Sequence, residues 1–262
     1  MLCMKLFCSQ LHTYTGNIRI NVKKIITDIK QASQAQADLC VFPELALYGY
    51  PATDHLFNPH TQSQLQTAIK DILACSTQHP KLGIIIGLPE AIEDKLYFYN
   101  AAWLIENGLV LSKTHKHLIP NDDIFQEKRY FIAGNSPQVI DYKGLKLGLH
   151  LCEDMWFSTH LHHEAQIKNP IEYLAKQNAD LFLNLSASPY TKTKHHMRYQ
   201  LAKEHALKHK RPFVYLNCVG LTDEAIFDGN SFVINETGTL SHQAAFCKQD
   251  TIIIDTKNTS QK

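Results

Sequence analysis

Short apolar runs that stop abruptly on chemistry-bearing side chains constrain this chain more than any other feature. Asp38-Leu39-Cys40-Val41-Phe42 is halted by Pro43-Glu44. Residues 145–151 run into Cys152-Glu153-Asp154, 181–185 into Ser186-Ala187-Ser188, and 213–216 into Asn217-Cys218. Such runs are too short for buried helices and read as strands of a covered sheet. In α/β sheets the ligand crevice lies beyond the carboxyl ends of the strands. These strands therefore deliver a carboxylate, a thiol, hydroxyls and an amide to one plausible crevice.

Between the strands lie amphipathic stretches. Residues 16–36 carry Ile18, Val22, Ile25, Ile26 and Ile29 at helical spacing, and 61–75 carry Leu65, Ile69, Ile72 and Leu73. Further helices are predicted over 170–176 and 197–209. Further strands are predicted over 3–8, 83–88, 97–105, 231–234 and 251–254. Asn107-Gly108 and Asn235-Glu236-Thr237-Gly238 are hairpin turn signals. No repeat or low-complexity linker interrupts the pattern. The expectation is one α/β domain over residues 1–262, with mixed sheets rather than a clean βαβ series.

A net charge of +1 gives no global signature of a nucleic-acid or membrane binder. One stretch is locally basic: Lys192, Lys194, His195, His196, Arg198, Lys203, Lys208, Lys210 and Arg211. The plainer expectation is a solvated helix face, and the sharper one is that one or two of these point at an anionic group. The seven cysteines, Cys3, Cys8, Cys40, Cys75, Cys152, Cys218 and Cys247, form no CxxC pair. With no signal-peptide apolar region, this predicts a reducing compartment, the cytoplasm. His115 and His117, or His160, His162 and His163, lack a third ligand at a standard spacing, so no metal is expected.

Cys152 ends an apolar strand and is followed at once by two carboxylates. A free cysteine is ordinarily a small buried hydrophobe, and that neighbourhood is unusual for one. Glu44 follows an apolar strand and a proline and precedes Leu45-Ala46-Leu47. It is either a strand-end residue reaching solvent or a desolvated general base. Lys116, in Thr114-His115-Lys116-His117, is by itself an ordinary lysine.

Together, Glu44, Lys116 and a cysteine opening Cys-Glu-Asp resemble the nitrilase, or carbon–nitrogen hydrolase, superfamily. Longer strings narrow the resemblance to the glutaminase domain of glutamine-dependent NAD synthetases. Phe42-Pro43-Glu44-Leu45-Ala46-Leu47-Tyr48-Gly49-Tyr50-Pro51 is similar to the FPELALxGYP string of those enzymes. Phe125-Gln126-Glu127-Lys128-Arg129-Tyr130-Phe131 is similar to FDEKRYF, and Cys152-Glu153-Asp154-Met155-Trp156 to CEDxW. Asn184 to Tyr190, with Lys194 and Arg198, is similar to NxSASPY…K…R, and Asp223-Glu224 with Phe227-Asp228-Gly229 to DELVFDG.

The resemblance implies a four-layer αββα sandwich, two mixed β-sheets flanked by helices, commonly assembled into homo-oligomers. It implies Cys152 as nucleophile, Glu44 as general base, and Lys116 with a backbone N–H as oxyanion donors, each worth about 3–4 kcal/mol. Glu127 would orient Lys116 or the substrate. By motif position Glu153, Trp156, Ser188 and Lys194 would line a pocket for L-glutamine. The ammonia would serve amidation of deamido-NAD to NAD.

The chain departs from the pattern in three places. The family's LPNYxVF reads Ile119-Pro120-Asn121-Asp122-Asp123-Ile124-Phe125, which puts Asp122 where a substrate-facing tyrosine stands. An aspartate there would alter substrate affinity or pair with an α-ammonium group. The family's GGQDE region reads Gly220-Leu221-Thr222-Asp223-Glu224. No Ser-Gly-Gly-x-Asp-Ser pyrophosphate loop is present, so no cofactor is expected here. ATP and deamido-NAD would bind a synthetase domain or subunit outside this chain. The alternatives are a free-standing amidase for another small amide and a non-catalytic remnant. The polar tail 257–262 reads as a frayed terminus.

Overall fold

A computed structural model describes residues 4–157, 169–222 and 224–256. Cys3, His160, His162, His163, Asp223 and the tail 257–262 lie outside the described residues.

The chain runs β1 (Lys5–Gln10), α1 (Ile18–Gln34), β2 (Leu39–Val41), α2 (Pro59–Thr77), β3 (Gly83–Ala91), β4 (Phe98–Glu106) and β5 (Leu109–His115). The second half follows with β6 (Ile140–Tyr142), β7 (Leu145–Leu151), α3 (Pro170–Lys176), β8 (Leu181–Ser186), α4 (Lys194–His209) and β9 (Phe213–Asn217). It closes with β10 (Val219–Leu221), β11 (Ile226–Asp228), β12 (Phe232–Ile234), β13 (Leu240–Gln243) and β14 (Asp250–Asp255).

Two mixed sheets result. One has the order β14-β1-β2-β3-β4-β5 and the other β13-β12-β9-β8-β7-β6. In each, three central strands are parallel, β1-β2-β3 and β7-β8-β9, and the flanking strands are antiparallel.

Strand alternation sorts the apolar side chains into layers. Leu39 and Val41 of β2 face the other sheet and meet Leu149, Leu151, Leu183 and Leu185. Cys40 and Phe42 point the other way, against Ile18, Ile25 and Ile29 of α1 and Leu65 and Ile72 of α2. Phe182 of β8 and Phe213 of β9 face outward against Leu174 of α3 and Leu201 and Ala206 of α4. The layers are helix, sheet, sheet, helix, as the resemblance implied.

The predicted elements are present, with small shifts at their ends. Asn107-Gly108 turns β4 into β5, both residues at positive φ. The helix expected over 197–209 begins at Lys194, whose N–H donates to Thr191 Oγ1. The solvated-face reading of the basic stretch is corrected at Arg198. This side chain is 1% exposed and paired to Asp228 at 2.7 Å, because a guanidinium buried against β9 must meet a carboxylate.

Candidate active site

The loop after β2 places Glu44. Phe42 N–H still bonds Ile85 O, then Pro43 ends the ladder and Leu45 takes φ +48°. Gly87 on β3 makes room for this loop. A Cβ there would lie 2.3 Å from Pro43 O and 2.5 Å from Leu45 N. Glu44 is 1% exposed. Its Oε1 accepts from Lys116 Nζ at 2.8 Å and Asn100 Nδ2 at 2.7 Å, and its Oε2 accepts from Ala187 N–H at 2.8 Å.

Lys116 follows β5 directly. Its N–H bonds Asn100 O and its carbonyl receives Gly134 N–H, both at 2.8 Å. The ammonium is fully enclosed and reaches Glu127 Oε1 at 2.7 Å and Oε2 at 2.9 Å besides Glu44. Burial alone would lower its pKa, but the Glu127 and Glu44 carboxylates outweigh it and hold the amine well above the ordinary value. Lys116 is therefore a fixed cation.

Glu127 opens a short 3-10 turn, Glu127–Arg129, and also accepts from Tyr50 OH at 2.8 Å. Burial, with the Glu44 charge adding to it, outweighs the pull of Lys116 and raises the Glu127 carboxyl to about 7. Two carboxylates thus share one ammonium.

Cys152 is the first residue after β7, opening a 3-10 turn, Cys152–Trp156, with φ +36°. A non-glycine residue in that region projects its side chain out of the strand direction and stores strain. Its carbonyl receives Asn184 Nδ2 at 3.4 Å. Burial first and the Glu44 charge second push the thiol well above its ordinary value, against the pull of Lys116. The resting sulfur is a thiol, and a base must take its proton before it can act as a nucleophile.

Asp154, in the same turn, is fully buried. Its Oδ1 accepts the N–H groups of His117 at 3.0 Å and Leu118 at 2.9 Å, and its Oδ2 accepts that of Leu151 at 3.1 Å.

The segment after β8 forms the next wall. Ser188 N–H bonds Asn217 Oδ1 at 2.8 Å, and Ser188 Oγ accepts Arg198 Nε at 3.1 Å. Arg198 also donates to the carbonyls of Ser188 and Pro189. Lys194 is half-buried at the head of α4, its ammonium 5.1 Å from the Phe125 ring and 5.8 Å from the Trp156 ring. Burial lowers its pKa, with Cys152, Glu153 and Asp123 opposing. Glu153 is half-buried beside it. Asp122 sits on an exposed turn, where its carboxylate accepts Asn121 N–H at 3.2 Å.

The structure thus joins Glu44, Lys116, Glu127 and Cys152 in one buried cluster, with Trp156, Ser188, Lys194 and Glu153 along one side and Asp122 outside it. Asn100 and Tyr50 escaped sequence reasoning as site residues. The signal for Asn100 was an amide within the apolar run of β4, a position that demands a partner. Among the described residues no group of three His, Cys, Asp or Glu side chains could hold a metal ion. No helix is long and apolar enough to cross a membrane, again among the described residues.

A family model described as carbon–nitrogen hydrolase matches residues 7–261. The chain is 34% identical over 250 residues to a glutamine-dependent NAD(+) synthetase of Acinetobacter baylyi, covering 95% of this chain and 43% of that protein. A synthetase of the same name from Synechocystis is 34% identical over 252 residues, with 94% and 45% covered. Among solved structures, the glutamine-dependent NAD+ synthetase from Acinetobacter baumannii in complex with ADP superposes with a TM-score of 0.87 at 36% identity, over 97% of this chain and 45% of that one. An amidase from Nesterenkonia sp. superposes with a TM-score of 0.82 at 20% identity, over 96% and 89%, a likeness of fold. The chain spans less than half the length of the synthetases it matches.

Proposed function

The chain belongs to the carbon–nitrogen hydrolase family, and from that premise we propose that it releases ammonia from the side-chain amide of L-glutamine through a Cys152 thioester. The observation that carries this reading is the buried cluster in which Glu44 and Glu127 share Lys116 beside a thiol that burial keeps protonated.

Glu44 Oε1 already accepts two donors, so Oε2, with one, is the atom that takes the thiol proton. The sulfur attacks the amide carbon. Negative charge moves to the amide oxygen, where Lys116 Nζ and the Glu153 N–H receive it. Collapse breaks the C–N bond, and the departing nitrogen takes the proton from Glu44 and leaves as ammonia. Water then gives a proton to Glu44 and attacks the thioester, the C–S bond breaks, and glutamate and the thiol are restored. Lys194, flanked by Glu153 and Asp123, offers a cation and anions for the two charged groups of an α-amino acid, and Trp156 and Ser188 complete that pocket. Asp122 lies on the adjoining exposed loop, one residue before Asp123.

The ammonia is destined for amidation of deamido-NAD to NAD by a synthetase domain or subunit, where ATP would also bind. This chain itself needs no cofactor. The names of the relatives support that destination. Free thiols at Cys8, Cys40, Cys75, Cys152, Cys218 and Cys247 support a reducing, cytoplasmic setting. Exposed Met197 and Leu207 on α4 supply apolar surface for pairing of copies. The change to Asp122 favours a second reading, an amidase for another small amide, which a panel of ω-amides separates.

Ammonia release from L-glutamine by the purified chain, with Cys152→Ala as control, tests the proposal. Release by the wild type and none by the variant fixes nucleophile and substrate together. No release from glutamine, with turnover of another amide, replaces the substrate.

A further inference from the structure

The same turn that carries the nucleophile carries a carboxylate placed across the two oxyanion donors. We propose that Asp154 is a positioning residue that fixes the spacing between Lys116 Nζ and the Glu153 N–H by tying the backbone beside each. The proposal rests on the acyl-transfer reading above.

His117 and Leu118, whose N–H groups reach Asp154 Oδ1 at 3.0 and 2.9 Å, follow Lys116 directly. Leu151, whose N–H reaches Oδ2 at 3.1 Å, precedes Cys152 directly. Asp154 itself follows Glu153. One side chain therefore spans the end of β5, in the first sheet, and the end of β7, in the second.

The chemistry calls for a carboxylate. Three backbone donors converge on two acceptor oxygens, and an amide would offer one acceptor and present an N–H to the other donors. The His117 ring adds a contact, Nδ1 lying 3.6 Å from Oδ2. Burial works against an ionised Asp154, yet these donors and the His117 ring hold its carboxyl below the ordinary value. Donors to an oxyanion act only when placed where the charge develops, so a shift in their spacing is felt in the transition state and little in substrate binding. A carboxylate that merely closed a turn would affect stability and leave that distinction untouched.

Asp154→Asn in the full chain tests this, read by three rates. Ammonia release from L-glutamine should lose roughly ten- to a hundredfold in kcat with KM held within about threefold. Acylation of Cys152 by p-nitrophenyl acetate, which also builds an oxyanion, should fall in parallel. Alkylation of Cys152 by iodoacetamide, which displaces iodide and builds none, should stay within about threefold of wild type.

Ile72→Ala, a core cavity on α2 remote from the turn, is the control for lost stability. If Asp154→Asn lowers all three rates together, or changes the ratios no more than Ile72→Ala does, the positioning role is overturned. Failure of the wild type on glutamine but acylation by the ester would sink unaided glutamine hydrolysis and still decide the role of Asp154. A wild type that neither reagent acylates overturns both. If Asp154→Asn does not fold, His117→Pro removes one backbone donor and the ring contact from the intact carboxylate. It should give the same split at smaller size, and equal losses in all three rates would again overturn the proposal.

Discussion

Lys116 and Arg198 are both cations enclosed to within 1% of full burial, yet their surroundings differ in charge balance. Arg198 faces one carboxylate, Asp228, at 2.7 Å, and donates from Nε and Nη2 to neutral oxygens of Ser188 and Pro189. Lys116 faces two carboxylates, Glu44 and Glu127. The first cluster is neutral and holds a wall in place. The second carries one negative charge in excess, and a buried excess of negative charge is relieved by taking up a proton. Burial alone does not mark a reactive centre; the unbalanced count beside a protonated thiol does.

The largest test of the contrast removes each cation. Lys116→Met leaves two carboxylates facing each other, and Arg198→Met leaves Asp228 alone. Both should lower stability by roughly 3–5 kcal/mol, read by urea denaturation. They should part on chemistry. Ester acylation of Cys152 should vanish in Lys116→Met, whereas Arg198→Met should retain measurable acylation among its folded molecules. Equal loss of acylation in both would erase the distinction.

Next in size is Glu44→Gln. Lys116 keeps Glu127, so the stability loss should be only about 1–3 kcal/mol, while ammonia release should fall by roughly 10²–10⁴-fold. A variant that retained most of its rate would move the base elsewhere.

Third is pH. Glu127 rises from the ordinary 4.5 to about 7. The folded protein thus holds this proton more tightly than the unfolded chain does. Its contribution to stability is full below pH 4.5 and is lost as pH rises through about 7. Activity should run the opposite way, rising with pH through about 7 as the ionised carboxylate takes up Lys116. Glu127→Gln should remove that limb of the rate profile, and an unchanged profile would assign the limb to another group.

The smallest effect lies outside the buried cluster. Lys194→Met should raise KM for glutamine about tenfold, the loss of some 1.4 kcal/mol of binding. Asp122→Ala, on an exposed turn, should change it less than threefold. Reversal of that order would make the loop, not α4, the selector of substrate.

Much of this was legible in the sequence because burial imposes pattern. Strands covered on both sides are written as apolar runs, and β7, β8 and β9 fall where those runs predict. Edge elements carry no such pressure. Leu109 and Leu111 of β5 face outward, and β6, β10 and β11 are three residues each, too short to alternate. In the site, Glu44 and Cys152 stand out because each follows an apolar strand, and Lys116 only because the three together resemble a family. The burial of Arg198 was hidden by the charges around it, since the periodicity that buries one face of α4 is carried by few apolar residues. The part played by Asp154 was invisible for another reason. It bonds backbone groups far along the chain, and backbone N–H groups have no letter in a sequence.

One bond has a thermal consequence. Glu44 comes from the first sheet, but its Oε2 is held by Ala187 of the second. The faces between those sheets are lined by leucine, valine and isoleucine, whose contacts tolerate small slippage better than a 2.8 Å hydrogen bond does. Warming that lets the layers creep past one another would misalign base and thiol while the helices are still intact. Catalysis should therefore fade several degrees before circular dichroism records melting, which makes the turnover rate a gauge of how firmly the two halves of the sandwich are registered.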